Sequence, residues 1–147
     1  MKKILLTLAV VLMALPLSAQ LKTTGKNSFK TLGTVRMGVV LVTQGDAGIA
    51  MGVNTNNRFD NPGFFFLGGD KESALQTVKD LIDVLENGEE GDMITVECAP
   101  GHKCDLIPKK QLGIKTLFFY FDDCAGYQNM TRQELEKISS IIEEKAK

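Results

Sequence analysis

The segment Cys98-Ala99-Pro100-Gly101-His102-Lys103-Cys104 gathers the chain's single histidine and two of its three cysteines. Three chemistries fit it. A Cys98–Cys104 disulfide would close a short hairpin in an oxidising compartment and contribute on the order of 2–3 kcal/mol. Two unbridged thiols would serve as small core residues. Cys98, His102 and Cys104 together would offer soft ligands to zinc or copper. That metal reading is the weakest, because structural zinc takes four ligands and this spacing matches no standard zinc signature. The third cysteine, Cys124, follows Asp122-Asp123, and adjacent negative charge disfavours a thiolate. A Cys124–His102 catalytic pair is conceivable, but a partly buried cysteine at a strand end explains the residue more simply. Asp122 and Asp123, as strand neighbours, point to opposite faces unless the chain turns there.

The amide-rich segment Asn54-Thr55-Asn56-Asn57-Arg58-Phe59-Asp60-Asn61-Pro62-Gly63 is the candidate binding surface. Asn54, Asn56, Asn57, Arg58, Phe59 and Asp60 combine adaptable hydrogen bonding with one cation and one ring. The same composition also builds turns for purely backbone reasons. It does not carry the alternating acidic ligands of a calcium loop. Phe64-Phe65-Phe66 and Phe118-Phe119-Tyr120-Phe121 place rings on both faces of their strands. One face belongs to a core, and the other could meet a ligand, a partner or a second subunit. A nucleic-acid surface would need Arg36, Arg58, Lys109, Lys110 and Lys115 to converge. The sequence contains no Gly-rich phosphate loop, nucleophile elbow or His-Glu-x-x-His motif, so no cofactor is expected and no reaction is indicated. Gly68-Gly69-Asp70 precedes a helix, but the Asp70 carboxylate would itself fill an anion site there. Asn129-Met130-Thr131 fits the glycosylation sequon, yet Thr131 is better placed as a helix cap.

The elements that must position these residues follow from periodicity. Thr34–Thr43 is rich in β-branched residues and reads as one strand, ending at the turn Gln44-Gly45-Asp46. Ile49, Met51 and Val53 alternate on a returning strand, and Phe64–Leu67 forms a third. Asp70 then caps a helix whose apolar face is Leu75, Val78, Ile82 and Leu85, ending at Asn87-Gly88. The second half repeats the order. Met93–Cys98, Lys103–Pro108 and Ile114–Phe121 read as strands. Thr131 and Glu134 form a capping box, Met130 and Leu135 a hydrophobic staple, and Leu135, Ile138 and Ile142, flanked by Ile141, an apolar helix face. The expected fold is α+β: antiparallel sheet packed against two helices in βββα–βββα order, with approximate halves 31–88 and 91–147 and a possible pseudo-two-fold relation.

Residues 1–19 have the form of a secretory leader: Met1-Lys2-Lys3, an apolar run from Ile4 to Leu17, then Ser18-Ala19 before the cleavage point. The leader is bacterial in type. Leu17-Ser18-Ala19 begins a lipobox, but Gln20 stands where the lipidated cysteine must be. Residues 20–30 read as a loose arm and 31–147 as one domain. Cleavage would leave 128 of the 147 residues and, with Lys2 and Lys3 gone, lower the net charge from −1 to −3. With 44% hydrophobic and 24% charged residues, the composition excludes collagen-like and disordered classes. The acidic balance counts against nucleic acid. The resulting expectation is a secreted or periplasmic, non-catalytic binding module for a protein or small-molecule ligand, with a homodimer as one arrangement open to it. The alternatives are a small thiol- or metal-dependent protein using Cys98, His102 and Cys104, and less favoured, a single-stranded nucleic-acid-binding fold.

Overall fold

Glycine and β-branched residues set the first half. A computed structural model describes residues 29–147, so the leader and residues 20–28 of the arm lie outside it. The segment read as one strand, Thr34–Thr43, is a hairpin: β1 (Lys30–Val35) turns through Arg36–Val39 into β2 (Val40–Gly45). Gly38 takes φ 91°, and Arg36 and Met37 follow it into the left-handed region at 49° and 53°. Residues on both sides of this turn pair closely, Val35 with Val40 and Thr34 with Leu41, so the strand pattern runs through the reversal unbroken. Lys30, assigned to the arm, already belongs to β1. β3 (Gly48–Val53) and β4 (Gly63–Gly68) complete an antiparallel sheet of order β1-β2-β3-β4. Gly48, at φ 132°, lies so close to Gly68 that a Cβ would sit 2.2 Å from the Gly68 carbonyl oxygen, and no side chain fits there.

Helix α1 (Lys71–Asn87) starts where expected, with Asp70 accepting from the Ser73 amide at 2.7 Å and the Ser73 hydroxyl accepting from the Asp70 amide at 3.2 Å. Its buried stripe is Ala74, Val78, Leu81 and Leu85. Leu75 and Ile82, expected at the centre, are only partly buried and flank it. Small Ala74 lets the helix approach the sheet and shifts the contact line by one position.

The second sheet comprises β5 (Ile94–Ala99), β6 (His102–Gln111), β7 (Ile114–Phe121) and β8 (Gln128–Thr131) in that order. β6 runs past the expected end at Pro108. β5 stops pairing at Leu106, so Pro108 lies beyond the β5 ladder, where its carbonyl accepts from the Gly91 amide. Short, polar β8 pairs Met130 with Leu117 and leads into α2 (Arg132–Lys145), capped by the Thr131–Glu134 box. Each half therefore carries four strands and a helix. The architecture is α+β, with antiparallel sheets packed against two helices. Lys71 Nζ donates to the Glu143 carbonyl and Arg132 pairs with Glu86, so α1 and α2 run antiparallel. The core draws on both halves: Val42, Ile49, Met51, Leu85, Leu106, Leu117, Phe119 and Ile138 are all fully enclosed. No helix among the described residues is long and apolar enough to cross a membrane.

Candidate functional site

The amide-rich loop between β3 and β4 proves to be chiefly a latch. Asp60 accepts hydrogen bonds from the Thr55 hydroxyl (2.7 Å), Asn57 Nδ2 (3.0 Å) and, across the molecule, the amides of Ala125 (3.2 Å) and Gly126 (2.8 Å). The Thr55 hydroxyl, then the Gly126 amide, hold its carboxyl below the ordinary value. Asn56 exchanges bonds with Tyr127, donating its amide to the Tyr127 carbonyl and accepting the Tyr127 amide on Oδ1. Asn54 ties back to Gly38 and accepts from Gln128 on its carbonyl, and Asn57 accepts the Phe59 amide in a local turn. Four of the six candidate binding residues are thus occupied within the fold. Asn54 and Asn56 remain exposed beside Arg58 and Phe59, whose guanidinium carbon lies 4.7 Å above the ring centre, with Phe59 82% exposed.

The cysteine–histidine segment separates into two unrelated surfaces. Cys98, Cys104 and Cys124 are free thiols. Cys104 lies opposite Val96, so Cys98 and Cys104 are not cross-strand partners, and the hairpin-closing bridge is not formed. Both thiols point into the core, while His102 is exposed. The Cys98–His102–Cys104 metal set is therefore not assembled. Burial first, then Asp122, raises the Cys98 thiol; burial also pushes Cys104 far up, and burial followed by Asp123 pushes Cys124 up to about 11. Cys124 donates to the Asn61 carbonyl and to Asp123, not to His102. None of the three is an activated nucleophile.

His102 instead approaches the acid pair. Its Nδ1 lies 3.3 Å from Asp122 Oδ1 and 4.0 Å from Asp123 Oδ2, because the chain turns after Phe121 and brings both carboxylates to one side. The Lys103 amide, foremost, holds the Asp122 carboxyl low. These three side chains could offer one ligand atom each to a divalent cation, with all three atoms within 4.8 Å of one another. All three are exposed, and no further protein ligand among the described residues joins them.

Of the five basic residues, Lys110 and Lys115 are cross-strand partners on β6 and β7, next to Lys109, while Arg36 and Arg58 make contacts of their own. Arg36 forks onto Glu134, Gln128 Oε1 and the Asn129 carbonyl. Lys109 covers the rings of Phe118 and Tyr120, at 4.8 and 5.6 Å, and Lys115 donates to the Glu86 carbonyl at the end of α1.

The sheet faces turned away from the helices differ sharply. On the second sheet every cross-strand row carries polar or charged groups, such as Glu97–Lys103, Thr95–Asp105–Tyr120 and Lys109–Thr116. There Phe118 is buried under Lys109, Tyr120 and Tyr127. On the first sheet two aligned rows cross all four strands: Thr34–Leu41–Gly52–Phe64 and Thr31–Thr43–Ala50–Phe66. No residue in these rows is charged. Leu41, Phe64 and Phe66 are 37%, 43% and 37% exposed, and the Phe29 ring lies over Gly45 on the same side. Sequence reading located the rings but missed the rows, because the hairpin at Arg36–Val39 that brings Thr31 and Thr34 beside β2 was invisible to it.

No protein-family profile matches the chain, and neither a curated protein nor a solved structure does.

Proposed function

We propose that the chain is an exported, non-catalytic binding module that engages its partner through the outer face of the first sheet. The observation that carries this reading is the pair of charge-free rows on a solvent-facing sheet. A sheet face turned to water ordinarily alternates into polar residues, and a contiguous exposed apolar patch marks an interaction site. Three further features support it. The thiols are held protonated, the candidate amide loop is spent on internal hydrogen bonds, and the leader-like residues 1–19 would send the chain out of the cytoplasm. The test is a photo-reactive phenylalanine analogue at position 66, with the same analogue at position 120 on the opposite sheet as control. In producing cells, position 66 gives intermolecular adducts and position 120 does not. Equal labelling at both positions, or none at 66, overturns the reading.

A further inference from the structure

Two hairpin tips carry residues that neither the backbone nor water favours. β6 and β7 are closed at Gln111–Ile114 by the two-residue turn Leu112-Gly113, with φ 50° and 83°. A turn with positive φ at both positions is a place for Asn-Gly, and leucine is strained there. Leu112 is fully exposed, so no packing offsets that strain. Met37, in the turn between β1 and β2, repeats the case: its φ is 53° and it too is fully exposed. Ile114, at the foot of the second tip, is also exposed. A large apolar residue held in a left-handed turn and surrounded by water contributes nothing to the fold, and strain kept in that way marks a functional position.

The two tips are neighbours. Asn129 of β8 joins them: its carbonyl accepts from Arg36 Nη2 at 2.9 Å, and its Nδ2 donates to Gln111 Oε1 at 3.1 Å. Met37 and Leu112, each the next residue along, therefore stand at one end of the molecule. Directly behind Gln111–Ile114 comes Lys110–Lys115, two exposed like charges paired across the strands, an arrangement that by itself costs stability. Lys115 donates one hydrogen to the Glu86 carbonyl and keeps two for an anion. The acids nearby are engaged, Glu134 by Arg36, Glu86 by Arg132 and Glu90 by the Lys110 amide.

The spacing of apolar tip and cation fits a lipid surface. At about 3.3 Å per residue, the lysine pair lies roughly 7 Å behind Leu112. Interfacial elements bury their apolar groups about 5–10 Å into the boundary between headgroups and acyl chains. Leu112 at that depth sets both ammonium groups at the level of the lipid phosphates. Hydrocarbon also accepts separate apolar projections without matching shape, whereas a protein partner would need a pocket for each. We infer that this end of the molecule docks on anionic lipid, with Met37 and Leu112 entering the acyl boundary and Lys110 and Lys115 meeting the phosphates. The site is separate from the sheet face proposed above and does not rest on it.

The experiment is flotation of the purified protein, expressed from its full sequence, with vesicles of phosphatidylglycerol and phosphatidylcholine in equal parts, and with vesicles of phosphatidylcholine alone. The protein floats with the first and not with the second. Asparagine suits a left-handed turn, so Met37→Asn and Leu112→Asn each weaken binding roughly 10- to 100-fold while the thermal midpoint holds or rises. Replacing both Lys110→Gln and Lys115→Gln weakens it about 30-fold. The chain contains no tryptophan, so Leu112→Trp is a sole reporter, and its emission moves to shorter wavelength on the anionic vesicles. Phe66→Thr, on the proposed sheet face, leaves vesicle binding as it was. A protein that does not float, asparagine variants that float like the parent, or binding without a tryptophan shift overturns the inference. Equal binding to phosphatidylcholine alone overturns the role of the lysines. Loss of a protein cross-link in producing cells on Met37→Asn or Leu112→Asn, with no vesicle binding by the parent, assigns the tips to a protein partner and overturns the lipid.

Discussion

Replacing Arg36 tests how the β1–β2 turn is fastened to the other half. Its Nε and Nη2 reach the two Glu134 carboxylate oxygens at 2.5 Å each, and Nη1 and Nη2 reach Gln128 Oε1 and the Asn129 carbonyl at 2.9 Å each. The Glu134 side chain is 19% exposed and that of Arg36 36%. An exposed ion pair contributes about 0–1 kcal/mol, whereas hydrogen bonds to charged groups contribute about 1.5–3 kcal/mol. A half-exposed fork, discounted for solvent, falls at about 2 kcal/mol for Arg36→Ala. Arg36→Gly loses the same bonds but relieves a backbone held at φ 49°, worth about 1 kcal/mol, so it is destabilised by only about 1 kcal/mol.

Glu134→Gln keeps the capping box and removes the charge, so a double-mutant cycle isolates the ion pair, with an expected coupling of about 1 kcal/mol near neutral pH. Burial alone would raise the Glu134 carboxyl, but Arg36 and the Thr131 amide outweigh it and hold it below its ordinary 4.5. A depressed carboxyl contributes its stability above the unfolded value and loses it as pH falls through the folded one. The coupling therefore fades on acidification below the ordinary carboxylate range. Urea midpoints of the four proteins, measured near neutral and at about pH 3, decide it. Arg36→Ala within about 0.5 kcal/mol of wild type, or a coupling that survives acid, refutes the reasoning.

Gly63→Ala would place a Cβ 2.3–2.6 Å from three atoms of the buried Phe121 ring, and overpacking of that kind costs about 1–3 kcal/mol. Its thermal midpoint falls on the order of 5–10 °C, while Gly52→Ala, with open space, stays at wild type. The native protein titrates one slow thiol, Cys124, and the unfolded protein three. A protein in which two thiols fail to titrate after unfolding would instead contain the Cys98–Cys104 bridge.

Both helices were legible in the sequence because their signals are local. Asp70 and Thr131 cap within three residues of their partners, and Leu135, Ile138 and Ile142 sit at helical spacing. The strand faces Ile49–Met51–Val53 and Leu117–Phe119–Phe121 were legible for the same reason, and all six are buried. The β1–β2 turn was not, because Arg-Met-Gly has no turn composition beyond its glycine, and Arg36 is held there by Glu134, 98 positions away. The candidate loop misled for a related cause. Its asparagines and Asp60 looked free, but their partners Ala125, Gly126 and Tyr127 lie 65 to 71 residues further on. Cys98 and Cys104 had the spacing of a hairpin bridge, but the strand register sets Cys104 opposite Val96 and not opposite Cys98.

The packing of α2 has a consequence for the order in which the molecule can be made. Ile141, near the end of the chain, lies against Gly33 in the first strand, and Gln44 of β2 bonds the backbone of Lys147. The ribosome releases the first strand well before its cover, so the first sheet can form as a hairpin ladder but cannot close its inner face until α2 has emerged. A nascent chain lacking α2 leaves Leu32 without its cover. Closure of the first sheet is thereby timed to the emergence of α2.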